Sequence, residues 1–137
     1  MIENLRVLID FGLVVLIWMV QLVVYPSFKF FAIPDLVKWH HKYTTCIAYI
    51  VIPLMLGQLI ISGIQVYRAQ SLYTIGSFIV VLSLWVITFS IFVPLHRKIE
   101  SNSFFPEDLH QLEKRNWIRT MLWNLICVWS ILEWIKP

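Results

Sequence analysis

Charge is what this sequence lacks most. Asp, Glu, Lys and Arg make up 14% of its 137 residues, against about 25% in soluble domains. Hydrophobic residues make up 59%, and the mean hydropathy is +0.75. A water-soluble fold would have too little polar side chain to cover its surface, so the chain reads as an integral membrane protein. Cysteine is also scarce. Cys46 and Cys127 both fall in apolar segments, which excludes a disulfide framework, and neither belongs to a CxxC redox or zinc pair. Both are expected to be small buried apolar residues. There is no internal repeat and no low-complexity tract. A small-x-small cleavage site is missing after the first apolar run, where Tyr25-Pro26 follows instead, so the run reads as a retained helix. The net charge of +3 sets membrane topology and does not point to nucleic acid.

What is there is four apolar stretches, at about 5–31, 35–67, 72–99 and 106–134. Each has the ~20 residues needed to cross a hydrocarbon core of about 30 Å. Backbone groups find no partner in lipid, so each must be helical. The length suits one domain, 1–137, and the fold class is all-α, a four-helix transmembrane bundle. Helix starts are signalled by Pro34-Asp35 and by Ser103 ahead of Pro106-Glu107-Asp108, which place an acid at the positive end of the dipole. Arg68 and Arg97-Lys98 close the second and third helices. The short connection after Arg68 makes those two an antiparallel hairpin.

Basic residues orient the bundle. Arg6, Arg68 and Lys136 lie on the side of the termini; Lys29, Lys38, Lys42, Arg97, Lys98, Lys114 and Arg115 lie on the other. The richer side is expected to face the cytoplasm, leaving both termini non-cytoplasmic, in a bacterial inner membrane. Pro26, Pro53 and Pro94 interrupt helices and crowd the carbonyls of Leu22, Tyr49 and Ser90, because proline lacks an N–H and its ring collides with the preceding turn.

Polar residues at one depth form four helical stripes. They are Trp18, Gln21 and Tyr25; His40, Tyr43, Thr44 and Ile47; Trp85, Thr88, Phe92 and His96; and Leu112, Asn116, Arg119 and Trp123. All four are expected to converge on one cavity near the cytoplasmic interface. The opposite membrane face, with Gln58, Ser62, Gln65 and Asn124, is expected to be poorer. His40 and His41 point about 100° apart, and His40, sharing a stripe with Tyr43 and Thr44, is expected to face the bundle. His110 is expected in solvent. Trp39 and Trp134 suit an interfacial belt. Arg119, with Met121-Leu122-Trp123 just after it, needs a partner, a wet cavity or an anionic ligand at that depth. His40 and His96 are the candidate ligands for a haem, or for a mononuclear metal with His110 or His41. No carboxylate accompanies His40 and His96, and no HxxxH spacing occurs.

Tyr25-Pro26, His40 or His41 with Tyr43, Pro94-Leu95-His96 and Asn116-Trp117-Ile118-Arg119-Thr120 resemble a pattern in small four-helix bacterial membrane proteins. The layout is more distantly similar to the anthrone-oxygenase-like family, four-helix membrane proteins with a polar loop before helix four and a Trp-containing motif ending in Arg. That family places Asn in the loop and a His three residues before the Arg; here His96 and Asn116 stand at those places. The resemblance implies the fold over nearly the whole chain.

The leading expectation is an oxidoreductase or oxygenase-like enzyme acting on a lipophilic aromatic or quinone-like molecule. His40 or His96 would remove a proton, Arg119 and Asn116 would hold the oxyanion, and Trp85, Phe92 and Trp123 would hold the ring. Gln21, Tyr25, Tyr43 and Thr88 complete the candidate binding residues. The alternative is a non-enzymatic lipid-, haem- or quinone-binding subunit or assembly partner. Expected partners are membrane lipids, a lipophilic small molecule, and a second copy or another membrane protein.

Overall fold

A computed structural model describes residues 1–136. Four helices follow one another: α1 (Ile2–Phe30), α2 (Ile33–Arg68), α3 (Leu72–Glu100) and α4 (Pro106–Trp134). They stand in a square, α1 against α2 and α4, and α3 against the same two. The all-α bundle expected from the sequence is the fold, with boundaries within a few residues of those expected.

The bundle is built for lipid rather than water. Along α1, Leu8 is 67% exposed while Arg6 and Asp10 are fully buried. Apolar side chains can face hydrocarbon freely, whereas a charged group there needs a protein partner. Length and composition alone qualify α1, α2 and α3 to cross a membrane. The first half of α4 is too charged by that count, yet its outward residues Trp117, Ile118, Met121, Leu125, Val128 and Leu132 are all apolar. Direction rather than composition makes α4 the fourth membrane helix, because Asn116, Arg119 and Thr120 are turned inward.

Two of the three prolines deform their helices in the same way. Ahead of Pro26, residues Val20–Val24 form a π-turn closed by Tyr25 N–H to the Val20 carbonyl. Ahead of Pro94, Thr88–Phe92 form another, closed by Val93 N–H to the Thr88 carbonyl. Widening the turn moves carbonyls away from the proline ring, and such turns often mark functional positions. Pro53 sits in continuous α-helix.

The connections are fixed by side-chain capping. At α3, Ser71 and Thr74 form a reciprocal capping box. Before α4, Ser103 bonds to Ser101 instead of capping the helix; Asp108 accepts the Phe105 N–H and a Lys98 ammonium proton, both at 2.9 Å. Asn102 adopts φ 53°, a conformation asparagine tolerates. The Phe105 N–H and Lys98 together hold the Asp108 carboxyl below its ordinary value. Its contribution to stability is therefore present above the unfolded value of about 3.9 and is lost as pH falls through the lowered folded one. Comparing unfolding midpoints of Asp108→Asn and wild type should show a gap at neutral pH that closes in acid. A gap persisting at low pH would contradict it.

At Gly76 α3 packs tightly on α4: an added Cβ would lie 2.6 Å from Cη2 of Trp129. Tyr73 holds that indole edge-on at 5.7 Å. Gly76→Ala is expected to destabilise the α3–α4 seam by about 1–3 kcal/mol, read by denaturant titration in micelles. Of the cysteines, Cys127 is buried as expected, but Cys46 is exposed, because its side of α2 faces lipid.

Candidate functional site

A cavity of about 350 Å³ lies between α2 and α3, with α1 and α4 as its floor, a size within the range of ligand sites. Eight of the eleven candidate residues line it: Tyr25, Tyr43, Trp85, Thr88, Phe92, His96, Arg119 and Trp123. Its mouth runs from Ile52 and Phe89, which face lipid, to Arg97 and Glu100 at the polar rim.

Gln21, His40 and Asn116 stand behind the cavity wall. Asn116 was expected to hold an oxyanion directly, but both ends of its amide are engaged. Its Nδ2 donates to Gln21 Oε1 at 2.9 Å, and its Oδ1 accepts from Arg119 Nε at 3.0 Å. Gln21 in turn donates to the Glu113 carbonyl at 3.2 Å. The π-turn in α1 places Val20 and Gln21, adjacent in sequence, both inside the bundle. Asn116 thus bonds to the guanidinium and does not line the cavity.

Arg119 lies flat on Phe92, its Cζ 3.8 Å from the ring centroid, and 5.6 Å from the Trp123 ring. It is 9% exposed, so it does not snorkel to the interface. Among the described residues, no carboxylate lies within ion-pair distance of it. A cation on aromatic faces gains from the ring quadrupole, but a buried charge still favours an anionic partner.

Opposite stands a histidine pair. His40 is fully buried, while His41 is exposed, as the spacing predicts. His40 Nε2 and His96 Nδ1 are 2.7 Å apart, and His96 Nε2 meets the Tyr25 hydroxyl at 3.2 Å. Phe28 packs edge-on against the His40 ring at 5.7 Å. The pair shares a hydrogen bond and does not form an axial set, which would need roughly 4 Å between nitrogens to seat an iron or zinc at ordinary bond lengths. His110 is exposed, and among the described residues no three His, Cys, Asp or Glu side chains converge as a metal site.

Two features escaped the sequence reading. Glu100, in the last turn of α3, accepts from the Thr44 hydroxyl at 2.9 Å and stands 4.0 Å from His40 Nδ1. The second corrects the expectation of a polar-poor opposite face. Arg6 and Asp10 form a fully buried ion pair at 2.8 Å. Arg6 also donates to Gln65 at 3.1 Å, and Gln58 donates to Asp10 at 2.7 Å. The Gln58 carbonyl then accepts from Trp123 Nε1 at 3.3 Å. The signal was present as two opposite charges four residues apart in an apolar run, the spacing that puts them on one helix face.

Fold and site together define a four-helix integral membrane protein with an arginine-bearing cavity beside a hydrogen-bonded histidine pair. Compared with protein-family models, curated proteins and solved structures, the chain matches none.

Proposed function

We propose that the protein is a small membrane oxidoreductase or oxygenase-like enzyme that takes a hydroxylated aromatic or quinone-like lipophile from the bilayer and stabilises its oxyanion. The observation that carries this reading is Arg119, a buried guanidinium on the cavity wall with no carboxylate in ion-pair reach among the described residues. Preorganised donors facing developing negative charge act most strongly where water is excluded. An aromatic ring between Trp85, Phe92 and Trp123 would bring its oxygen to Arg119 and to the Tyr25–His96 pair. His96, through Tyr25, is then the proton acceptor. In the oxygenase-like reaction the deprotonated substrate supplies the electrons and dioxygen accepts them.

Charge distribution supports a cytoplasmic site. With Arg6 buried in its ion pair, only Arg68 and Lys136 count on the side of the termini, against seven basic residues at the cavity end. This fits a bacterial inner membrane protein with both termini outside the cytoplasm.

The test uses a 2-naphthol bearing an alkyl tail, whose neutral and ionised forms emit at different wavelengths. Purified protein in detergent micelles is expected to bind it and yield naphtholate emission at neutral pH, with protein-free micelles as the blank. Binding with neutral emission alone would favour the alternative, a non-catalytic lipid-, haem- or quinone-binding subunit. Absence of binding would sink both.

A further inference from the structure

We propose that His96, His40 and Glu100 form a proton relay that carries a proton from the cavity to the aqueous rim, with Glu100 as its outlet. This rests on the cavity being a deprotonating site. It explains why two imidazoles are placed in series, and why the second has no access to the cavity. The contacts run in one direction: Tyr25 hydroxyl to His96 Nε2 at 3.2 Å, His96 Nδ1 to His40 Nε2 at 2.7 Å, and His40 Nδ1 to Glu100 Oε1 at 4.0 Å. His40 Nδ1 is buried and has no other partner among the described residues. Glu100 is the one member at the surface, its side chain 37% exposed, and the Thr44 hydroxyl anchors its carboxylate beside His40.

The proton balance closes with neutral rings. In the resting state Tyr25 donates to His96 Nε2, His96 Nδ1–H donates to His40 Nε2, and His40 Nδ1–H faces the Glu100 carboxylate. The substrate hydroxyl proton moves to the Tyr25 oxygen as the Tyr25 proton passes to His96 Nε2. The His96 Nδ1 proton passes to His40 Nε2, and the His40 Nδ1 proton passes to Glu100. Four O–H or N–H bonds break and four form. The substrate becomes an oxyanion facing Arg119, both imidazoles have exchanged tautomers, and Glu100 releases its proton to water. No imidazolium is left in the bundle, where an isolated charge would be costly. The last gap must shorten by roughly 1 Å to reach hydrogen-bond length, within the tightening that catalytic contacts undergo on binding.

Other charged and titratable groups frame the relay without joining it. His41 stands next to His40 on α2, and Arg97 flanks Glu100 on α3. Arg119 from α4 and Tyr43 from α2 face the cavity beside Tyr25. The path does not continue across the membrane. Beyond the cavity the next polar link is Trp123 Nε1 to Gln58, and an indole N–H only donates.

The test excites the bound alkylated 2-naphthol, a photoacid that sheds its proton within its fluorescence lifetime. Where the proton can move on to Glu100, recombination slows and naphtholate emission dominates. Glu100→Gln should lower the naphtholate-to-naphthol emission ratio of the bound probe, compared at equal occupancy, and added acetate, a small mobile carboxylate, should restore it. An unchanged ratio in Glu100→Gln overturns the relay while leaving the cavity reading intact. A fall that acetate does not reverse also overturns it, because Glu100 then acts only by holding structure. Neutral emission alone in the wild type overturns the cavity reading, and the relay with it.

Discussion

Asp10→Ala is expected to be the most damaging single substitution in the bundle, costing about 3–5 kcal/mol, the range for stripping one partner from a buried ion pair. Arg6 and Asp10 are both fully buried, and Arg6 Nη2 already lacks a partner. Removing the carboxylate leaves a guanidinium with only Gln65 to answer it, and it frees the Gln58 amide that now donates to Asp10. Asp10→Asn keeps an acceptor for Gln58 but loses the charge, so it should fall between alanine and wild type. The double change Arg6→Met with Asp10→Leu should cost far less than Asp10→Ala, because apolar residues of similar volume often replace a buried pair at little or no cost. Denaturant titration in mixed micelles would measure all four proteins. If Asp10→Ala unfolds within about 1 kcal/mol of wild type, well below the expected loss, the buried pair does not hold the bundle together.

Arg119→Ala should weaken binding of an ionised hydroxyaromatic probe by about two orders of magnitude, the scale for losing one preorganised donor to an oxyanion. Arg119→Lys should recover little of it. The planar guanidinium stacks on Phe92 while its Nε bonds to Asn116; an ammonium on a flexible stem reproduces neither contact. Asn116→Ala leaves the charge in place but frees its direction, so its loss should be smaller than that of Arg119→Ala. Titrating the naphtholate emission of each variant orders the three. Equal affinity for Arg119→Ala and wild type would refute an oxyanion-binding role, and a full loss in Asn116→Ala would show that orientation matters as much as charge.

Much of the bundle was legible in the sequence because lipid imposes one rule on backbone and side chains alike. Long apolar runs must be helices, and polar residues within them must face inward. That rule picked His40 over His41 and placed Arg119 inside. It failed on Asn116 and Cys46 for a related reason. A helical stripe says which way a side chain points, but not whether another side chain stands between it and the cavity. Asn116 points inward and is consumed by Gln21 and Arg119; Cys46 lies in an apolar run but on its lipid side.

Arg6 shows the same limit from the other direction. Near a chain end it reads as a topology charge, and only the approach of α2, bringing Gln58 and Gln65 beside Asp10 and Arg6, turns it into a buried pair. Glu100 was hidden likewise. A lone acid at a helix end is ordinary, and its meaning comes from Thr44 and His40 on another helix.

The sequence by itself determined that this chain is a four-helix membrane bundle and that His40 and Arg119 turn inward, since periodicity and hydropathy act along the chain. Only the tertiary structure decided that His40 bonds to His96, that Arg119 lies over Phe92 with no carboxylate partner among the described residues, and that Arg6 and Asp10 form a buried charge pair at the far end. Those are distances between helices, set by how side chains pack across the bundle, and no one helix encodes them.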